Sequence, residues 1–355
     1  MKKNEYSLIG VMSGTSLDGI DLVLVNFNFS ETVTSSLEVF ETIAYSTYWK
    51  NKLEEAVHYD SAQLFNLDNE YTAYLGKILN TFIKDYKIIN LDGICSHGHT
   101  VKHQPDQGFT IQIGNLPQLA QTTNNMVVCD FRSQDVTYGG QGAPLVPIGD
   151  AILFSNYTYC LNIGGFSNIS FNRNGVRIAG DICAVNTVFN HYIKKMGFEF
   201  DKGGEVARSG KLNKGPLKKL SDLNFYKQQF PKSLGIEWVE REVFPLIDQE
   251  EENIPDILHT YSIHAAQQIA DCLDHNPKST VLVTGGGAFN TFFIERLKSA
   301  SPCTLHIPPA SLINYKEALI FAFLGALKLR GETNVLSSVT GAKIDHSSGK
   351  IYMPN

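Results

Sequence analysis

SLIGVMSGTSLDGIDLVLVNF, residues Ser7–Phe27, consists of two apolar runs separated by the polar segment MSGTSLDG. A hairpin between two strands needs only about two to five connecting residues. The connection here instead collects hydroxyls, glycines and carboxylates, namely Ser13, Gly14, Thr15, Ser16, Asp18, Gly19 and, just beyond, Asp21. Glycine lets backbone N–H groups approach an anion closely, and hydroxyls add donors. The stretch predicts a strand–turn–strand unit whose turn suits a phosphate group.

The two carboxylates of this segment would repel a bare phosphate. Asp18 and Asp21 are compatible with a bound phosphate if a divalent cation lies between the carboxylates and the phosphate, directly or through water. A tight hairpin that uses glycine for its geometry alone is the alternative interpretation of this turn.

Two further glycine-rich turns also follow apolar runs. They are Gly164–Gly165 in CLNIGGFSNISF and Gly285–Gly287 after TVLVT. The sequence contains no GxxxxGK[ST], which excludes a Walker-type phosphate loop. It also contains no GxGxxG, no HExxH and no GxSxG, so the common nucleotide-binding and hydrolase motifs are absent from the sequence. Three turns of this kind favour a bound nucleotide over three hairpins shaped only by glycine.

Short apolar runs typical of strands alternate along the chain with helical patterns, so the fold class is α/β. The strand-like runs are Leu8–Met12, Leu22–Phe27, Val39–Tyr45, Gly93–Ser96, Met126–Cys129, Tyr159–Ile163, Thr280–Thr284 and Thr304–Ile307. The helical patterns are Asn51–Tyr86, Thr187–Met196 and Asp256–His275.

The length of 355 residues exceeds that of one usual hydrophobic core, so two domains are expected. The strand–glycine turn–strand pattern occurs once near the start and again at Cys160–Phe171, as two similar halves facing one cleft would produce. We place the N-terminal domain at residues 1–145, with residues about 330–355 packing back on it, and the C-terminal domain at 146–330.

Composition narrows the functional class further. The net charge of −6 argues against binding to nucleic acid. Six scattered cysteines without CxxC spacing suit a reducing cytoplasm. Lys2 and Lys3 precede no long apolar run, so no signal peptide is expected. The longest apolar stretch, Ala318–Leu327, is too short to span a bilayer and predicts a buried helix, so no membrane partner is expected.

Three other polar strings follow strand-like runs. SHGHTVKHQP (Ser96–Pro105) clusters three histidines, which suit substrate contact or hydrogen bonding better than a metal. In CDFRSQDVTYGGQGAPLVP (Cys129–Pro147), an arginine between acids indicates either an anionic or polyhydroxylated ligand or an ion pair that fixes a loop. Asp181, after the run VRIAG, is either a general base or the cap of the following helix.

Taken together, these strings resemble the anhydro-N-acetylmuramic acid kinase family over nearly the whole chain. The matching strings are GVMSGTSLDGID, SHGHTVKHQP, TIQIGNLPQLA, DFRSQDVTYGGQGAPLVP, LNIGGFSNIS, PKSLG, VTGGGAFN, KEALIFAFL and LSSVTGA. The resemblance implies the fold of the actin, sugar-kinase and heat-shock ATPase group, with two related ribonuclease-H-like domains and ATP in the cleft between them.

The resemblance also implies which residues bind the nucleotide. The first phosphate loop would consist of Gly14, Thr15, Ser16, Leu17, Asp18, Gly19, Ile20 and Asp21, and the second of Asn162, Gly164 and Gly165. Gly285, Gly286 and Gly287 would lie against the nucleoside. Mg²⁺ would accompany ATP, held through water by Asp18 or Asp21.

The family's reaction opens the 1,6-anhydro bond of the sugar with water and transfers the γ-phosphoryl group of ATP to the freed 6-oxygen. The product is N-acetylmuramate 6-phosphate, in peptidoglycan recycling. The resemblance assigns Asp181 as the base that activates the water. His97, Asp130, Arg132 and Glu317 would bind the sugar, although Glu317 could equally be an acid that complements a helix dipole.

The chain departs from the family at the base. The family string DTGPGN is DICAVN here, so Cys183-Ala184-Val185 replaces Gly-Pro-Gly. Three alternatives follow: a working kinase with a remodelled loop, a relative that binds or phosphorylates another anhydro-sugar, or a weakened enzyme. His99, where the family often has Gln, is a milder departure. The resemblance suggests a homodimer.

Overall fold

The computed structural model describes residues 3–274 and 276–354. The chain divides into two compact units, Met1–Leu153 with Tyr315–Asn355, and Phe154–Asn314. Each unit has its own sheet and its own hydrophobic core. Residues 146–153 and 315–330, which the sequence places in the second domain, are thus grouped with the first unit.

The strands and helices of the described residues are numbered in chain order. The strands are β1 (Glu5–Ser13), β2 (Gly19–Phe29), β3 (Val33–Ala44), β4 (Gly93–Gln104), β5 (Phe109–Ile113), β6 (Val127–Cys129), β7 (Tyr159–Ile163), β8 (Phe166–Arg173), β9 (Val176–Ala184), β10 (Thr280–Thr284), β11 (Thr304–His306) and β12 (Lys350–Tyr352). The α-helices are α1 (Thr47–Glu55), α2 (Ser61–Asp85), α3 (Gln118–Thr123), α4 (Ser133–Thr137), α5 (Val146–Leu153), α6 (Asn186–Lys194), α7 (Glu205–Ser209), α8 (Lys214–Ser221), α9 (Ile236–Trp238), α10 (Phe244–Glu250), α11 (Ile254–Asp271), α12 (Thr291–Ala300), α13 (Ala310–Leu329) and α14 (Ser337–Thr340).

The two sheets have the same topology. In the first, β1, β2 and β3 form an antiparallel meander, β4 runs parallel to β1, and β6 runs parallel to β4. In the second, β7, β8 and β9 form the meander, β10 runs parallel to β7, and β11 runs parallel to β10. This repeated ribonuclease-H-like order confirms the prediction of two related α/β halves. The first sheet is extended by β5 beside β4 and by β12 beside β6.

Both faces of the first sheet are covered, which explains why β1 reads as an almost continuous apolar run. Ile9 and Val11 belong to the core that includes residues of α1, α2 and α3. On the opposite face, α13 packs so closely that a Cβ on Gly10 would lie 2.0 Å from the carbonyl oxygen of Ala318. The sheet of the first unit is therefore the middle of three layers.

The apolar run Ala318–Leu327 is part of a longer helix than the sequence indicated. Helix α13 has 20 residues, so by length and composition it could cross a membrane, contrary to the expectation that the run is too short. However, 67% of the apolar 18-residue stretch of this helix is buried inside the protein, as in a core helix. The prediction of a buried helix is confirmed.

Capping side chains account for two helix boundaries that periodicity misplaced. The pattern Asn51–Tyr86 is two helices, since the Asp60 side chain accepts from the backbone N–H of Gln63 and starts α2 there. Helix α11 starts at Ile254, where Asn253 is the N-cap, two residues before the predicted start. It ends at Asp271, short of the predicted end at His275, a residue that itself lies outside the described ones.

Candidate functional site

The first glycine turn joins β1 to β2 and projects into solvent. Thr15, Ser16 and Asp18 are exposed, and Leu17 has a φ of 58°, a left-handed conformation that is unusual for leucine. A Cβ on Gly14 would contact only Ser16, at 3.5 Å or more. The backbone of this turn is thus open to an approaching group.

Not every residue of this segment has the role that its composition suggested. A Cβ on Gly19 would lie 2.5 Å from the carbonyl oxygen of Ile43, so this glycine permits the pairing of β2 with β3. Ser13 is 2% exposed, and its hydroxyl lies 2.6 Å from the hydroxyl of Tyr45 and 2.9 Å from Nδ1 of His99. The expectation that Ser13 donates to phosphate is corrected, because its hydroxyl is bound within the core.

Asp21 is held at the start of β2. Its Oδ1 accepts a hydrogen bond of 2.6 Å from Thr42. Burial raises the pKa of Asp21, the bond from Thr42 opposes this, and the charge of Asp18 adds to it. The described residues contain no group of three or more side chains able to hold a metal ion. Two nearby carboxylates fit an ion such as Mg²⁺ that keeps several waters, but they do not form a protein cage.

His97 and Arg132 form a second cluster in the first unit. Nε of Arg132 donates to Nε2 of His97 at 2.8 Å, and Nη1 donates to the carbonyl oxygen of Gly142 at 2.7 Å. Nδ1 of His97 lies 2.9 Å from the carbonyl of Gly98, which places its proton on Nδ1. Within the described residues Nη2 of Arg132 has no hydrogen-bond partner, so this edge of the guanidinium can bind a ligand.

The acids that flank Arg132 have different partners. Asp135 is fully buried and accepts hydrogen bonds from the N–H of Gly142 at 2.7 Å and from the hydroxyl of Thr340 at 2.8 Å. It therefore fixes the loop through these hydrogen bonds, whereas the sequence suggested an ion pair with Arg132, which no ion pair in the described chain provides. Asp130 forms an ion pair with Lys350, 2.8 Å apart, and no hydrogen bond joins it to His97 or Arg132 in the described chain.

Glu317 lies in the interior of α13, seven residues after its start, so it does not complement the dipole of a first turn. The side chain of Glu317 is exposed, yet desolvation by the surrounding protein raises its pKa, and the charges of Arg132 and Lys316 oppose the shift. The neighbouring Lys316 forms a buried ion pair of 2.7 Å with Asp150. Glu317 and Arg132 are thus electrostatic neighbours in the first unit.

In the second unit, the other two glycine turns lie side by side at the carboxyl ends of β7 and β10. Gly285 has a φ of 82°, and a Cβ on it would lie 2.7 Å from Oδ1 of Asn162. A Cβ on Gly287 would lie 2.3 Å from the side chain of Ile163. Gly286 remains exposed, as does Gly165. The carboxyl end of parallel strands is where α/β sheets bind ligands.

Asp181 lies inside β9 and not at the end of a strand, because β9 continues to Ala184. Its Oδ2 accepts from the N–H of Leu234 at 2.8 Å and from the hydroxyl of Ser233 at 3.3 Å. Burial raises the pKa of Asp181, and these two bonds oppose the shift. The N-cap of α6 is Val185, so Asp181 is not a helix cap.

The altered residues next to Asp181 face the core. Cys183, Ala184 and Val185 have no exposed surface. The N–H of Val185 donates to the carbonyl of Gly165 at 2.7 Å, so the backbone of this segment supports the second glycine turn. The substitutions therefore change core packing, and their side chains do not extend towards a ligand.

Sequence reasoning missed the groups that orient these residues. Ser233 and Leu234 belong to the string PKSLG, to which the family resemblance assigns no role. Nothing in the sequence indicates a polar contact for Tyr45, since a tyrosine at the end of an apolar run is typical of a core residue. Both contacts join segments more than 30 residues apart, and the sequence gives no means of pairing them.

The duplicated topology defines the class of protein, which is that of two-unit α/β proteins with a ribonuclease-H-like strand order in each unit. A sequence profile described as "Anhydro-N-acetylmuramic acid kinase" matches residues 6–354. The chain belongs to the anhydro-N-acetylmuramic acid kinase family.

Curated relatives with that name match over their whole length. One from Pseudomonas fluorescens (strain Pf0-1) is 34% identical, over 98% of this chain and 99% of its own. One from Shewanella loihica (strain ATCC BAA-1088 / PV-4) is 32% identical over the full length of both.

Similar solved structures have low identity. An activator of 2-hydroxyisocaproyl-CoA dehydratase from Clostridium difficile is 11% identical with a TM-score of 0.44, covering 90% of this chain and 96% of its own. A hexokinase from Schistosoma mansoni is 11% identical with a TM-score of 0.38, covering 90% and 85%. Both scores lie below 0.5, so the architecture rests on the chain's own strand order.

Proposed function

We propose that this protein is an ATP-dependent sugar kinase that opens 1,6-anhydro-N-acetylmuramic acid with water and phosphorylates the 6-oxygen. The product is N-acetylmuramate 6-phosphate, which places the enzyme in peptidoglycan recycling. Family membership over nearly the whole chain supports this assignment. The observation that carries it is the Asp181 carboxylate, held by Ser233 and Leu234 and partly desolvated.

Asp181 is the general base in this proposal. It takes a proton from a water molecule whose oxygen bonds to the anomeric carbon as the bond from that carbon to the 6-oxygen breaks. The 6-oxygen then takes the γ-phosphoryl group, and ADP leaves. A pKa above that of an ordinary aspartate makes the carboxylate a stronger base.

The other predicted residues take the roles that their surroundings allow. The open turn Gly14–Asp18 in the first unit, and Asn162, Gly164 and Gly165 in the second, contact the phosphates. Gly19, Ile20 and Asp21 are paired in β2, and the N–H of Gly164 already donates to the carbonyl of Phe166 at 3.1 Å, so these groups support the turns. Gly285–Gly287 lies against the nucleoside. His97, Asp130, Arg132 and Glu317 bind the sugar; His97 orients the guanidinium of Arg132 by accepting from its Nε.

A magnesium ion is part of the proposal. Asp18 or Asp21 would hold Mg²⁺ through water, and the ion, when bound, would neutralise charge on the phosphates of ATP. One observation on this chain supports the ion. The negative charge of Asp18 raises the pKa of Asp21, and a bound cation would offset this repulsion between the two carboxylates.

The experiment is turnover of the anhydro-sugar with ATP in ¹⁸O-labelled water. One labelled oxygen is expected at the anomeric carbon of the product. Asp181→Asn is expected to abolish turnover while ATP binding, measured by calorimetry, remains. Near-normal turnover by this variant would show that Asp181 is not the base.

The alternative of a catalytically altered relative rested on DICAVN. It loses its main support, because all three substituted side chains are buried in the core of the second unit. A cytoplasmic location and a homodimer also belong to the proposal. The location is supported by six free cysteines, five of them buried, which suit a reducing compartment.

A further inference from the structure

Four polar side chains form a chain of hydrogen bonds in the core of the first unit, which we call the hydroxyl relay: Tyr71, Tyr45, Ser13 and His99. The hydroxyl of Tyr71 lies 2.5 Å from that of Tyr45. The hydroxyl of Tyr45 lies 2.6 Å from that of Ser13, which lies 2.9 Å from Nδ1 of His99. None of the four is more than 5% exposed.

The protonation states of the relay follow from burial. Burial raises the pKa of Tyr45 to about 12 and raises that of Tyr71 as well, so both phenols keep their protons at neutral pH. Burial lowers the pKa of His99 to about 4, so the imidazole is neutral. A neutral imidazole has one nitrogen that donates and one that accepts.

The direction of the relay decides which nitrogen of His99 donates. Three hydroxyl protons need three acceptors. If the protons point from Tyr71 towards His99, the acceptors are the Tyr45 oxygen, the Ser13 oxygen and Nδ1. In the reverse direction the Tyr71 proton would have to turn to the Ser13 oxygen, which already lies beside Tyr45 and His99, because the direct hydrogen bond of Tyr71 is the one to Tyr45. A buried hydroxyl without a well-placed acceptor is unfavourable. The relay thus favours an unprotonated Nδ1 and a proton on Nε2.

The other edge of His99 is available to a ligand. Nε2 has no hydrogen-bond partner among the described residues, and it is not one of their solvent-sealed, unpaired polar atoms. His99 is paired with Ser13 across β1 and β4, directly before the open turn at Gly14. Two residues earlier on β4, His97 accepts from Arg132.

We propose that His99 contacts the bound substrate, its Nε2–H donating to a ligand oxygen while the hydroxyl relay fixes the proton on that nitrogen. This rests on the proposed function and adds a residue to it. The ligand chemistry is an oxygen acceptor, either a phosphoryl oxygen of ATP or an oxygen of the anhydro-sugar. The Kd values of ATP and of the anhydro-sugar, measured on variants of His99, distinguish these two ligands.

The first test is independent of activity. Long-range ¹H–¹⁵N correlation spectra of the unliganded protein should show His99 as the Nε2–H tautomer, with the signals assigned by their loss in His99→Gln. Tyr71→Phe should relax this preference, since it removes the proton that enters the relay. A wild-type Nδ1–H tautomer would overturn the proposal, even if the kinase activity is confirmed.

The second test separates the two nitrogens. His99→Gln keeps a donor near the position of Nε2, and His99→Asn keeps an acceptor near Nδ1. If Nε2–H binds substrate, His99→Asn should raise the Kd of ATP or of the anhydro-sugar about three- to tenfold, and His99→Gln should raise it less. Equal losses, or a greater loss in His99→Gln, would mean a purely structural role.

His58, which is exposed in the same unit, supplies the matched control pair His58→Asn and His58→Gln, neither expected to change either Kd. If His99→Asn does not fold, the tautomer measurement decides the proposal alone. If wild-type protein does not phosphorylate the anhydro-sugar, the proposed function fails while the tautomer result stands.

Discussion

Val185 has a different effect in the structure from the one that its position in the sequence indicates. It stands where the family string has glycine, and by sequence it would narrow a ligand-binding loop. In the structure it has no exposed surface and lies among residues of the second unit's core. Its backbone N–H, which any residue except proline supplies, makes the contact with Gly165. This backbone contact near the base therefore does not depend on the side chain at position 185.

Restoring glycine at this position should damage the protein. Val185→Gly removes a buried side chain and adds backbone freedom, so the free energy of unfolding should fall by about 2–4 kcal/mol without any gain in turnover. Urea titration measures this. Val176→Gly, at the exposed start of the preceding strand β9, is the control and should have a smaller effect. A rise in kcat without loss of stability would contradict the buried placement.

The hydrogen bonds to Asp181 make a prediction for the pH profile. The base must be ionised, so kcat/KM should fall as pH decreases through the pKa of Asp181, which lies above that of an ordinary aspartate. The Ser233 hydroxyl stabilises the ionised form, so Ser233→Ala should raise this pKa and move the acidic limb to higher pH. Ser209→Ala, whose hydroxyl bonds to a backbone carbonyl elsewhere, should leave the limb in place. An unchanged limb in Ser233→Ala would argue against Asp181 as the titrating group.

At the scale of elements, the packing of α13 on β1 determines what the glycines of the first hairpin do. Gly10 permits the close approach of the helix backbone, whereas Gly14, four residues later, faces open space. Periodicity and composition do not distinguish these two glycines. The helix that separates their roles, α13, begins at Ala310, far later in the chain.

The two glycines should respond differently to the same change. Gly10→Ala should destabilise the protein by about 2 kcal/mol or more, because its methyl group would overlap the Ala318 carbonyl. Gly14→Ala should leave the melting temperature almost unchanged while weakening ATP binding. Thermal unfolding and calorimetry on both variants separate the two effects. Equal stability of both variants would be inconsistent with this packing.

At the scale of the whole molecule, the chain repeats one topology in two units, and each unit encloses its own cysteines. Cys95 and Cys129 lie on β4 and β6 of the first unit, and the other four lie in the second. Burial raises the pKa of Cys129 to about 12 and that of Cys272 to about 11. Of the six, Cys272 alone is not fully buried.

Native thiol labelling should therefore be slow and ordered. Cys272 should react first at neutral pH, and Cys272→Ser should remove that phase. Cys95 and Cys129 should become reactive together under denaturant, since they share neighbouring strands. Mass spectrometry of labelled peptides measures the order. Labelling of Cys95 as fast as that of Cys272 in the native protein would contradict the packing of the first sheet.

The amino-acid sequence was sufficient to predict the α/β class, the repetition of a hairpin with a glycine turn, nearly every strand and the family. These follow from local signals, since alternation, turn chemistry and motif strings depend on neighbouring residues. The tertiary structure alone decided that Asp135 fixes a loop, that Ser13 is bound by Tyr45 and His99, that Glu317 lies inside a helix, and that the residues beside Asp181 face the core. Each of these depends on contacts between segments distant along the chain, and hydrogen bonding and burial at such contacts have no local signature.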